Sequence, residues 1–202
     1  MFKKILNFLN IKVQPYQHFT LFSCFFSLLF HSYYGPVLLK VAVSELPAQY
    51  LAFETVWCCL TSLIMGICWK GKFRKFAIKN FSTFALIERI AGFCLAMWLA
   101  FVSWNVWIYS IFALLYVSLI TFTIGRCVMV FKTKLWNEKS RELYDNTYSI
   151  VADFALVFGA CLSMIFSPSL KLALILYGCS CIIDDIGWIL LWHKLKEKLI
   201  EV

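Results

Sequence analysis

Charged residues are scarce in this sequence: they make up 15% of 202 residues, against 62% that are hydrophobic. A soluble domain of that length has too little interior to hide so much apolar side chain, so the excess must face lipid. A bilayer crossing takes about 20 mostly apolar residues, and about six crossings nearly exhaust the chain, leaving no room for a soluble catalytic domain. No cleavable signal peptide is visible, because residues 1–14, MFKKILNFLNIKVQ, are short, mixed and lack a small-residue cleavage site. The nine cysteines form no CxxC and no Cys/His pair at zinc spacing. Each falls in or beside an apolar run, which reads as a small apolar residue in lipid or at a helix contact. Neither a metal nor another cofactor is expected. A nucleophile–base pair or metal set is also missing, which argues against an intramembrane enzyme.

The apolar runs predict an all-α, polytopic six-helix bundle with spans at about 19–41, 49–69, 84–102, 106–130, 148–166 and 170–192. Residues 1–18 then form an amphipathic or disordered N-terminal segment, 19–193 the membrane domain and 194–202 a short basic tail. Gly35-Pro36 in the first span removes a backbone donor and predicts a kink. Of the 19 Lys and Arg residues, 17 fall on one side of this arrangement, leaving only Lys40 and Lys171 on the other. That asymmetry puts both termini in the cytoplasm. It also accounts for the net charge of +8 through anionic lipid rather than nucleic acid. The expected location is the cell membrane, and the first partner is the bilayer itself.

Ionisable side chains inside a span are costly, so each is a candidate functional group. Glu88, Arg89, Arg126, Asp153, Asp184 and Asp185 are expected in the cytoplasmic leaflet, with Arg126 pairing with Asp153, Asp184 or Asp185. Such a group reads either as a cytoplasmic gate or proton-coupling site, or as a structural ion-pair network whose long side chains reach water. Asp184-Asp185 is similar to the metal-binding aspartates of prenyl-chain enzymes, but those need a further acid downstream, and Ile186, Gly187 and Trp188 follow here. His31 lies near the middle of the first span, and Glu54 lies about two turns inside the second. Both are candidates for contact with substrate or proton. Glu54 could face Lys40 or His31. Small residues recur every four positions at Gly92, Ala96 and Ala100, and again at Ala155, Gly159 and Ser163, predicting close helix contacts. Trp57, Trp98 and Trp188 lie deep in their spans, where aromatic lining would suit an apolar or cationic solute.

The stretch 35–79, GPVLLKVAVSELPAQYLAFETVWCCLTSLIMGICWKGKFRKFAIK, resembles the first two helices of a major facilitator superfamily transporter. The loop after that family's second helix follows G-x-x-x-D-x-x-G-R-[RK]. Gly66 matches the first glycine and Arg74-Lys75 the basic pair, whereas Lys70 and Phe73 replace the Asp and the second Gly. The Asp's capping and gating role therefore does not carry over to Lys70. Glu138-Lys139-Ser140-Arg141 is similar to the family's Arg-containing loop, and Gly159 sits where the family has a Gly-Pro pair, with Ala160 in place of proline. The resemblance covers one six-helix half of a twelve-helix architecture. It implies alternating-access transport of a small solute, with a second copy or a partner membrane subunit completing the cavity. The degenerate loop supports the alternative, a non-transporting accessory, immunity or assembly subunit.

Overall fold

In lipid, the amide groups of an apolar segment find no water and must bond within the segment. The computed structural model describes residues 17–116 and 122–200, and among them every regular element is helical. The helices are α1 (Gln17–Glu45), α2 (Ala48–Cys68), α3 (Gly71–Lys79), α4 (Phe81–Phe101), α5 (Val106–Tyr116), α6 (Phe122–Leu135), α7 (Glu138–Ile165), α8 (Leu170–Ile183) and α9 (Ile186–Ile200). Five stretches are long and apolar enough to cross a membrane: α1, α2, α4, α7, and Leu170–Glu197, which takes in α8 and most of α9. The predicted fourth span falls on α5 and α6, and its residues 117–121 lie outside the described residues. The predicted N-terminal segment also lies outside them, except for Gln17 and His18, which open α1.

α1 runs as one helix through Pro36. Two local features differ from the sequence reading. First, the basic stretch after the second span is not a loop. It forms the short amphipathic helix α3, which buries Ala77 and Ile78 and turns its lysines outward. Second, α7 begins ten residues before the predicted span, because Asn137 caps it: the Asn137 side chain accepts a hydrogen bond from the Ser140 amide at 2.9 Å.

The tight part of the bundle is α1, α4, α7 and the last span. Gly159 on α7 abuts α1 so closely that a Cβ there would lie 2.5 Å from the Leu29 carbonyl. Ala155, one turn away, is fully buried. On α4, Gly92 and Ala96 are buried, and Ala96 meets Gly178 of α8. The small-residue periodicity in both helices therefore marks helix contacts within the bundle. By contrast, only 12% of the α2 window is buried, and α2 packs chiefly against α5 and α6.

Two apolar layers organise the interior. One joins the start of α1 (Leu21), α3 (Ile78), the start of α4 (Phe81), α6 (Phe131), the start of α7 (Tyr144) and α9 (Trp192). The other joins Tyr34 and Leu38 of α1, Leu99 of α4, and Ala173 and Leu174 of α8. The beginning of α1 and the residues of α9 thus lie at the same end of the bundle, the end that also carries the basic helix α3. Trp192 is buried in the first layer, and its indole N–H donates to the Ile78 carbonyl at 3.3 Å.

Candidate functional site

The last span breaks in its middle. Asp184 has extended geometry (φ −58°, ψ 144°), and Asp185 has a φ of +54°. Positive φ is uncommon outside glycine, although aspartate tolerates it better than most residues because its short side chain bonds locally. Here the Asp185 amide donates to Asp184 Oδ1 at 3.2 Å. The Asp184 amide closes α8 on the Ser180 carbonyl (2.8 Å), and the Asp185 carbonyl opens α9 by accepting from Ile189 (2.9 Å).

Arg89 of α4 spans this break. Its guanidinium lies 3.2 Å from Asp184 Oδ2, donates to Asp185 Oδ2, and is 3.7 Å from Glu88 Oε2. Glu88 is 1% exposed, whereas the Asp184 side chain is 43% exposed. Along α4 the pair Glu88-Arg89 falls between Ala85 of the first layer and Leu99 of the second, and along the last span Asp184-Asp185 falls between Trp188 and Leu174. The cluster therefore lies between the layers.

Arg89, not Arg126, is the counter-ion. Among the described residues Arg126 forms no ion pair with Asp153, Asp184 or Asp185; it lies on α6 beside Gly66. Asp153 is exposed on α7, next to the exposed Phe154, and does not join the cluster. Of six expected gate residues, the fold brings four together. Arg74 and Lys75 sit on α3, one turn beyond Lys70, the residue before that helix. No three His, Cys, Asp or Glu side chains among the described residues converge as a metal site.

The second pair of candidates does converge. His31 and Glu54 line one cavity of about 520 Å³, together with Tyr34, Tyr109, Ser110 and Tyr177. Its ring lining comes from tyrosines, not from the deep tryptophans. The tyrosine rings pack edge-on, Tyr34 against Tyr177 and Tyr177 against Tyr109, with centroids 5.8 and 5.9 Å apart. The lining holds one carboxylate and no lysine or arginine, which favours a cationic or hydrogen-bonding solute.

A hydrogen-bond chain leads from the cavity onto α8, one turn before the break. Ser180 Oγ donates to the Tyr177 carbonyl (2.8 Å), so its lone pairs receive the Tyr34 hydroxyl (3.0 Å). The Tyr34 oxygen then accepts from His31 Nδ1 (3.2 Å), leaving Nε2 of a neutral imidazole as an acceptor. Ser180 lies one turn before Asp184. Replacing Tyr34 with phenylalanine removes both side-chain bonds of a 3%-exposed residue. It should cost about 1–3 kcal/mol, read as a lowered melting temperature in detergent; an unchanged melt would mean that water bridges the same groups. No spacing rule ties Tyr34 to Tyr109, Tyr177 and Ser180 on other helices, so sequence reading missed them. Comparisons with family models, curated proteins and solved structures give no match, and the functional reading rests on this geometry alone.

Proposed function

We propose that the protein is a membrane transporter that moves a small, cationic or hydrogen-bonding solute by alternating access. The observation carrying this reading is the break of the last span at Asp184-Asp185, held by Arg89. Discontinuous membrane helices with ionisable residues at the break are how secondary transporters build sites and moving parts near the midplane. The His31–Glu54 cavity is the solute site in this reading, and the Glu88, Arg89, Asp184 and Asp185 cluster is the coupling or gating element.

The proposal includes six crossings, with both termini in the cytoplasm of a cell membrane. It is supported by the 17-to-2 distribution of Lys and Arg. It is also supported by the contacts of α5, which packs Tyr109 against the second layer, and of α6, which sets Phe131 in the first. The half-transporter relationship to the major facilitator superfamily, with a second copy or partner completing the assembly, belongs to the same proposal. The thin packing of α2 fits an incomplete assembly, and it equally favours the accessory-subunit reading.

The deciding experiment is reconstitution into vesicles loaded with a pH-sensitive dye, followed by a panel of small organic cations. The expected result is solute-dependent proton flux that disappears in Asp185→Asn, with half-saturation raised about tenfold in Glu54→Gln. Correctly inserted wild-type protein that stays silent across the panel, with neither flux nor binding, would discard transport in favour of an accessory role.

A further inference from the structure

A second cavity, of about 770 Å³, lies between α2 and α6, away from the His31–Glu54 site. Its walls are Ser62, Leu63 and Ile67 of α2 and Phe122 of α6, with Arg126 and Lys70 as its charged groups. Leu63 and Ile67 are more than 60% exposed, so the groove opens onto the lipid-facing side of α2. No acid lines it, and neither cation forms an ion pair among the described residues.

From this combination we infer that the α2–α6 groove binds one anionic phospholipid. Arg126 and Lys70 hold the phosphate, and the apolar walls receive an acyl chain. Charge decides the occupant. A guanidinium at the end of an apolar groove without a carboxylate is costly in lipid, and a headgroup phosphate is the anion present at that depth. Basic pockets between membrane helices on the cytoplasmic side recognise such headgroups.

Gly66 contributes room: a Cβ there would lie 3.1 Å from Arg126 Nη2, so the glycine lets the guanidinium rest against the α2 backbone. Lys70 stands at the other wall, where the chain leaves α2 in extended geometry (φ −140°, ψ 157°) before entering α3. The exposed Lys72, Lys75 and Lys79 of α3 continue the positive surface. The residues left over from the family-like loop pattern, Gly66 and the position of Lys70, thus have a use that does not depend on gating or transport.

The test is native mass spectrometry of the full chain, released from nanodiscs of equal phosphatidylcholine and phosphatidylglycerol. Wild type is expected to retain one phosphatidylglycerol in preference to phosphatidylcholine. Arg126→Gln and Lys70→Gln should each weaken retention about fivefold, Arg126→Lys should retain most of it, and Lys171→Gln, whose ammonium sits 4.4 Å from the Phe101 ring, should change nothing. Lys70 is exposed, so Lys70→Gln carries the test even if Arg126→Gln misfolds. Equal retention of both lipids, or wild-type retention in Lys70→Gln, overturns the proposal. So does protection of lipid-free protein by millimolar inorganic phosphate as strong as that by phosphatidylglycerol, because the site would then belong to a soluble anion.

Discussion

Arg89→Met is expected to destabilise the protein by about 3–5 kcal/mol, the usual range for removing one partner of a buried ionic cluster. The Arg89 side chain is 10% exposed and its guanidinium sits against three carboxylates, two of them at the break of the last span. Without it, Asp185 loses the cation that pairs with it among the described residues, in a layer bounded by apolar side chains. The three acids do not weigh equally. Asp184, at 43% exposure, is the least enclosed of the three, and Asp184→Asn should cost the least, about 1 kcal/mol. Asp185, at 17%, accepts directly from the Arg89 guanidinium, and Asp185→Asn should cost more. The double variant Arg89→Met/Asp185→Asn should recover at least about 1 kcal/mol relative to the sum of the singles. Unfolding in bicelles reads all four. If Arg89→Met falls within about 0.5 kcal/mol of wild type, the cluster is solvated and cannot serve as a deep coupling element.

The second large effect is expected at Gly187, where alanine should cost about 3 kcal/mol, the upper end of what overpacking usually takes. Gly187 follows the break, at the second position of α9, and an added Cβ would collide with the backbone carbonyl of Phe19 and lie 2.6 Å from the Thr20 Cα. Backbone cannot rotate aside, so either α1 or α9 must move. A useful contrast is Gly66→Ala, whose Cβ would meet only the end of the Arg126 side chain at 3.1 Å; it should cost little. Thermal melts of the two variants in the same detergent make the comparison. Equal melting temperatures would mean that α1 and α9 are not held at this distance.

Five of the six predicted spans were legible because their cause is additive: twenty apolar residues in a row announce a crossing whatever surrounds them. Close contacts at Gly159 and Ala96 were legible for a similar local reason, since a four-residue period is written on one helix. The break at Asp184-Asp185 was not. No proline marks it, and a pair of acids in an apolar run states only that something must neutralise them. That the cation is Arg89 rather than Arg126 depends on which helix faces meet: α4 sets Arg89 against the break, while α6 sets Arg126 beside Gly66 of α2. The His31–Glu54 pairing could be suspected from depth, but the tyrosines that complete the cavity come from helices far apart in sequence. Helix α3 was read as a loop because basic residues mask its period; only the buried faces of Ala77 and Ile78 disclose it.

Two hydroxyls of α1 have partners late in the chain. Thr20 accepts from the Tyr144 hydroxyl across 124 positions, and Tyr34 bonds Ser180 across 146. At ordinary ribosomal speeds that separation is roughly 6–30 s of synthesis. Throughout that interval the first helix stands in the bilayer with the Thr20 and Tyr34 hydroxyls waiting for α7 and α8. Nascent chains released before position 144 should therefore be preferred substrates of membrane quality control. An insertase or chaperone that shields α1 for those seconds would raise the yield of this protein more than one acting on its C-terminal helices.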